Sequence, residues 1–365
     1  MELIMSNNKK ITVRQLVVMF MMSNLSATIR LLPTECAKIS GRAAWLTPLI
    51  SALPLLMLFS ILTSMYKKEN VRNYGDVIEF SVGKIAGRVL LVIYLIWCVI
   101  LYLLYIRYYA ERLLSTIFPN TDMRFFILVM MLLVFMATRG RTEVLARFAE
   151  LFFLIFNFIM IMFFIMLLPS VKLENLYPVT YYDILPAVKG TSPILAIWGY
   201  ITLVLFLGEK VVDKNQLIKR GRRYTLFLAV MSTLIIITVV GSIGYKVVPK
   251  MPIPFFSAIK AISVMEALNR IESILLSVWV VSDFGVITVF AMIIMHILKH
   301  LFNVSEVKYL SSPIALLGYS GGQFFTDSRA ELGTFSSKIG IASNLVLCFA
   351  IPFVVFFIGK LRRKI

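Results

Sequence analysis

The sequence predicts an all-α integral membrane protein with ten transmembrane helices, arranged as a five-plus-five inverted repeat in which helices one and six are broken. Three observations lead there. Of the 365 residues, 59% are hydrophobic and 15% charged, and the mean hydropathy is +0.88. A soluble domain carries about 25% charged residues and about half apolar ones, so too little polar side chain remains here to cover a water-facing surface. Stretches near the ~20 apolar residues needed to cross a bilayer recur ten times along the chain. The basic residues then collect at alternate ends of those stretches, as cytoplasmic loops do.

The expected spans are about 12–32, 44–66, 88–114, 123–138, 144–168, 192–208, 223–247, 271–298, 308–323 and 336–358. Spans three, five, seven, eight and ten are continuous apolar runs, whereas one, six and nine are interrupted. No small-residue cleavage site follows a short apolar core in span one, so it is expected to remain part of the protein. With the N-terminus inside, 23 of the 37 Lys and Arg fall on cytoplasmic segments and 10 on outer ones, Arg112 among the latter. Both termini are therefore expected in the cytoplasm. The net charge of +18 is a topology signal, and no nucleic-acid partner is expected. Cys36, Cys98 and Cys348 lie far apart without metal or redox spacing and read as packing residues.

Domain organisation follows from the count. A single membrane domain is expected over 1–365, with repeats at about 12–168 and 191–358. Five helices per half place the second half in the membrane with inverted orientation, as in many secondary transporters. The halves share no direct sequence similarity. Span one carries Ser23, Asn24, Ser26, Ala27 and Thr28 at mid-membrane, with Arg30 and Pro33 beyond. Span six opens on Gly190-Thr191-Ser192-Pro193 and contains Ile197, Trp198, Gly199 and Tyr200. Breaks at matching positions of two halves mark a midplane binding site; small residues that let helices pack closely explain the same pattern.

Ionisable groups inside spans cost roughly 2.5–3.5 kcal/mol each on insertion scales, so each needs a partner or a purpose. Arg107 and Glu111 are four apart on one face of span three, an arrangement suited to a structural pair. Glu143, Arg147 and Glu150 fit an amphipathic entry to span five. Arg30 and Glu35 follow the interruption in span one, and Glu266, Arg270 and Glu272 open span eight; together with Arg107 and Glu111 they form a candidate gating or structural polar network. Asp283, beside Ser282, lies 12 residues into span eight, about 18 Å deep. It could face a ligand amine or a cation, or serve as a hydrogen-bonded packing residue. His296 and His300 are four apart on one helical face, but no third ligand accompanies them and an interfacial role is expected. No catalytic motif, metal set or cofactor fingerprint occurs, so neither an enzyme nor a cofactor is expected.

Three stretches then resemble a known family, the endospore germination permeases, which are the B subunits of spore germinant receptors. They are the Arg139–Glu150 entry to helix five (Arg-Gly-Arg-Thr-Glu-Val-Leu-Ala-Arg-Phe-Ala-Glu), Leu268-Asn269-Arg270-Ile271-Glu272-Ser273 on helix eight, and Ile351-Pro352 followed by Leu361-Arg362-Arg363-Lys364. Arg14-Gln15-Leu16 and Trp45-Leu46 also fit, so the resemblance covers nearly the whole chain. Asn269 stands where the family carries Glu, and Ile201 where an acid is common. The resemblance implies a fold like that of the amino acid–polyamine–organocation transporters. It also implies a complex with A-type and C-type germinant receptor subunits, in the inner membrane of a bacterial spore, that senses a small-molecule nutrient germinant, commonly an amino acid. On this reading the ligand lies between Ser23–Thr28 and Ile197–Tyr200. Its carboxylate would meet freed N–H groups of helix one, and Ser282 or Asp283 would face its amine. An ion-coupled amino acid or cation transporter needs the same site, while a lipid- or glycan-acting membrane enzyme would need clustered acids or histidines at one face.

Overall fold

A computed structural model describes residues 10–67, 71–262 and 271–364, without the side chains of Lys210 and Glu272. Helix α1 (Val13–Ser40) starts at a capping box. The Thr12 hydroxyl accepts from the Gln15 N–H, and the Gln15 side chain accepts from the Thr12 N–H, satisfying two donors that a helix start leaves open. Asp213 Oδ1 accepts from the Val13 N–H at 2.6 Å, placing an acid at the positive end of the helix. Residues 16–29 are all buried, so α1 is enclosed on every side and forms the axis of the bundle.

Gly41, at φ 54°, ends α1 in a left-handed conformation open to glycine. The chain then reverses through a tight turn over Gly41–Leu46 into α2 (Thr47–Tyr66). A short helix at Tyr74–Val82 precedes α3 (Lys84–Thr116), and α4 (Met123–Arg139) and α5 (Thr142–Leu167) complete the first half. In the second half α6 (Thr191–Trp198) continues past Gly199 as Tyr200–Val204 and a 3₁₀ segment, Leu205–Lys210. Helices α7 (Leu217–Ile243), α8 (Ile271–Phe302) and α9 (Ser311–Phe324) follow. The last, α10 (Arg329–Leu361), is α-helical with π turns at Ser336–Gly340 and Val346–Ala350.

Around α1 pack α5, α6, α7 and α8; α3 lies along α8, and α9 against α4. Seven helical runs are long and apolar enough to cross a membrane, the first being Val13–Tyr66 at 54 residues. Helices α4 and α9, at 17 and 14 residues, are shorter. The outward face of α5 exposes Leu154 at 70%, Phe158 at 74% and Ile165 at 63%, which is stable only against hydrocarbon. The protein is an integral membrane protein.

Two expectations change. Helix one is not broken: α1 is continuous through Ser23–Thr28. The reason lies in its polar side chains, since Ser23 Oγ and Asn24 Nδ2 each donate to the Phe20 carbonyl at 2.7 Å and so find an acceptor one turn back without unwinding the backbone. Helix six shows only a one-residue irregularity at Gly199, whose φ of −62° and ψ of −15° stay helical and whose N–H still donates to the Leu195 carbonyl, so the matched pair of breaks is not seen. Arg112, expected on an outer loop, is inside the bundle at 4% exposure, because α3 continues to Thr116. Glu266 and Arg270 lie outside the described residues, as does the side chain of Glu272.

Candidate functional site

Helical rotation divides the polar run of α1 between two places. Residues two apart are about 200° apart around a helix, so Ser26 and Thr28 point to nearly opposite sides. Ser26 faces α8. Its Oγ donates to Asp283 Oδ1 at 2.5 Å and accepts from Trp279 Nε1 at 3.0 Å. The other carboxylate oxygen of Asp283 is 2.7 Å from an Arg112 terminal nitrogen, and the same guanidinium lies 4.0 Å from the Trp279 ring centre. Three helices thus meet at one buried ion pair. Asp283 is neutralised by Arg112 and is not free to receive a ligand amine.

The other face of α1 turns toward α6. Ala27, Ile197 and Tyr200 line a cavity of about 20 Å³ with Tyr105 and Asn344, room for about one water molecule. Tyr200 accepts from Tyr105 at 3.2 Å and from Asn344 Nδ2 at 3.4 Å, and Trp97 Nε1 donates to Asn344 Oδ1 at 2.8 Å. Gly199 faces α10: a Cβ there would lie 2.6 Å from the Cys348 Cβ, so this glycine permits close packing. Among the described residues Asn24 Oδ1, Thr28 Oγ1, Trp198 Nε1 and Ser282 Oγ are buried without a hydrogen-bond partner.

A ligand-sized space lies further along α1. A cavity of about 580 Å³ opens between the C-terminal ends of α1 and α3, the segment 251–253 and the start of α10, within the range of small-molecule sites. Arg30 lines both this vestibule and the small cavity below it. Its guanidinium lies 3.4 Å from the centre of the Tyr108 ring, and the Tyr108 hydroxyl is anchored on the Leu332 carbonyl at 3.1 Å. A stacked guanidinium keeps its planar edge for a carboxylate. Arg329, Lys38 and Glu35 also line the vestibule, and among the described residues these three and Arg30 form no ion pair. Glu111 is taken by Arg107 at 3.1 Å, and Arg107 also donates to the Gln323 carbonyl at 3.1 Å, tying α3 to α9. Arg112 therefore both lines the vestibule and pairs with Asp283.

Of the residues expected at the site, Ser26 and Asp283 come together, as do Ala27, Ile197 and Tyr200. Arg30 and Glu35 meet in the vestibule. Ser23 and Asn24 bond within α1, and Arg107 with Glu111 is structural. Sequence reasoning missed Arg112, Trp279, Tyr108, Arg329 and Asn344. For Arg112 a signal existed: a buried acid on α8 required a cation, and once Arg107 is paired with Glu111, Arg112 points about 100° around α3 from that pair.

The match to known proteins is now decisive. A family model described as spore germination protein matches residues 10–319, from the start of α1 through most of α9. The chain belongs to the spore germination permease family. It is similar to spore germination protein KB of Bacillus subtilis (strain 168), 22% identical over 314 residues, 84% of this chain and 83% of that one. A putative spore germination protein, YfkT, from the same organism is 21% identical over 336 residues, covering 90% of each chain. Spore germination protein A2, also from Bacillus subtilis, is 20% identical over 325 residues, covering 88% of this chain and 87% of that one. This family member is thus a germination-related membrane protein with a cavity of about 580 Å³, one of whose lining residues, Arg112, belongs to a buried ion pair.

Proposed function

We propose that this chain is the B-type, permease-like subunit of a spore germinant receptor, and that it senses a small zwitterionic nutrient, an amino acid in the first instance, in the Arg30 vestibule. It crosses the membrane ten times with both termini on the cytoplasmic side, as the excess of basic residues on the cytoplasmic segments favours. The vestibule then opens outward, toward arriving nutrient. It acts with A-type and C-type subunits in the inner spore membrane, and its task is recognition without covalent chemistry.

One observation carries the reading: Arg30, stacked on Tyr108 and without an acid partner among the described residues, lines a cavity of about 580 Å³ together with Arg329 and Glu35. Two guanidinium groups suit a carboxylate, and the Glu35 carboxylate suits an ammonium group. Arg112 supplies the link to the bundle. A ligand carboxylate that reaches it competes with Asp283 and loosens the contact between α3 and α8. A ligand biases two states only by its difference in affinity for them, and about 1.4 kcal/mol of difference gives a tenfold shift.

Spores whose receptor carries Arg30→Gln test this. The nutrient concentration for half-maximal germination should rise at least about tenfold, since a charged hydrogen bond contributes about 1.5–3 kcal/mol, at unchanged protein level. An unshifted dose response sinks the vestibule site. The second reading, an ion-coupled transporter, draws support from the separate polar cavity of about 500 Å³ at the opposite end of the bundle. Sustained gradient-driven uptake of labelled amino acids into proteoliposomes would establish that reading instead.

A further inference from the structure

The opposite end of the bundle holds a cluster that ligand sensing does not use. Helix α8 ends there with His296 and His300 one turn apart, and the short helix Tyr74–Val82, which packs mainly on α3 and the end of α10, meets it through the His300 side chain. His300 lies against Gly75, where a Cβ would come within 3.3 Å of the imidazole. Its Nε2 is 3.4 Å from Glu79 Oε2 and its Nδ1 is 3.7 Å from Asp76 Oδ1. One imidazole therefore faces two carboxylates of a separate helix. Neighbouring on α8, His296 Nδ1 is 3.8 Å and Lys299 Nζ 2.9 Å from Glu209 Oε2, which belongs to the 3₁₀ segment ending α6.

The geometry points to a proton-operated latch: protonated His300, with His296 beside it, clamps the short helix Tyr74–Val82 and the end of α6 onto α8, and deprotonation releases them. Histidine is the side chain that changes charge between pH 5 and 8. As an imidazolium it is an ion-pair partner for both Glu79 and Asp76; neutral, it keeps at most one hydrogen bond. The short helix has few other charged anchors. Asp76 Oδ2 is committed to capping its own helix, accepting from the Arg72 and Asn73 N–H groups at 2.8 and 3.1 Å. Glu79 Oε1 meets Arg88 at the longer distance of 3.8 Å. The Arg362 guanidinium donates to the Val82 carbonyl at 2.8 Å, holding only the far end of the helix.

The remaining charges facing the histidines are cations. Arg72 and Lys84 line the same cavity of about 500 Å³, and Lys214 bonds the Val71 carbonyl. Among the side-chain types gathered here, histidine is the one whose ordinary charge change falls in this range. Helix α8 also carries Asp283, so the histidine cluster and the Arg112 pair lie on one helix. The latch stands whatever ligand the vestibule takes.

Hydrogen–deuterium exchange of the full chain in lipid nanodiscs tests it, read as protection of the Tyr74–Val82 amides after correction for intrinsic exchange rates. Protection should fall about two- to fivefold between pH 6 and pH 8, the range expected for partly exposed ion pairs. With His300→Gln it should be low and flat across that range; with His300→Lys, high at both values; with Glu79→Gln, the drop should shrink. A pH-independent native profile overturns the latch, and so does an undiminished drop in His300→Gln or in Glu79→Gln.

Discussion

Asp283→Asn keeps the shape of the side chain and an acceptor for the Ser26 hydroxyl, but removes the charge that Arg112 faces at 2.7 Å. Arg112 is 4% exposed and Asp283 1%, so the surviving guanidinium is largely desolvated. Removing one member of such a buried pair costs about 3–5 kcal/mol, because the other charge is left uncompensated. At about 3 kcal/mol the folded-to-unfolded ratio drops roughly a hundredfold. Arg112→Gln should cost as much, since it strands the carboxylate instead. The double variant leaves two neutral amides that can bond each other, and should be less damaging than the sum of the singles by at least about 2 kcal/mol, at the upper end of coupling between contacting residues. Titration of the micelle-solubilised protein with SDS, followed by tryptophan fluorescence, reads the whole cycle. Trp279, stacked at 4.0 Å on Arg112, places a probe at the site. Single costs below about 0.5 kcal/mol, or singles that simply add, would refute the claim that the pair acts as a unit.

Other outcomes follow from particular contacts. Ser26→Ala removes the partner of both Asp283 and Trp279 and should cost about 1–3 kcal/mol in the same titration. Thr28→Val alters a hydroxyl without a hydrogen-bond partner among the described residues and should change stability far less. Gly199→Ala drives a methyl to 2.6 Å from the Cys348 Cβ and should cost about 1–3 kcal/mol by overpacking; adding Cys348→Gly, which removes the obstructing atom, should recover part of that loss. Cys36, Cys98 and Cys348 are all buried, so a maleimide reagent should label none of them until the protein is denatured.

The helices were legible because lipid imposes a simple rule: long apolar runs must be helices, since no water satisfies their backbone. Asp283 was legible for a related reason, being an acid where insertion is costly. The break in α1 was misread. Ser, Asn and Thr in mid-membrane are the residues that heal an unwound helix, and equally those that bond back to a carbonyl one turn earlier, as Ser23 and Asn24 do on Phe20. Composition does not separate the two. Arg112 was misplaced because charge counting assigns a residue near a span end to a loop, whereas α3 runs 33 residues and carries it into the bundle. The partners of His300 lie over 200 residues away in sequence, at Asp76 and Glu79, and no spacing argument reaches them. The vestibule likewise gathers the end of α1, the end of α3 and the start of α10, so Arg30 and Glu35 were visible as charges but not as neighbours of Arg329.

Recognition of a nutrient by Arg30 and Glu35 in the vestibule is the heart of the proposed function. Its most direct measurement is the germination dose response of spores across the twenty amino acids, with the native receptor, Arg30→Gln or Glu35→Gln in otherwise identical strains at matched receptor level. An amino acid that triggers native spores should need at least about ten times the concentration in either variant. Its carboxylate-free amine and its amine-free acid should fail as triggers with the native receptor. Unaltered sensitivity in both variants would contradict the claim.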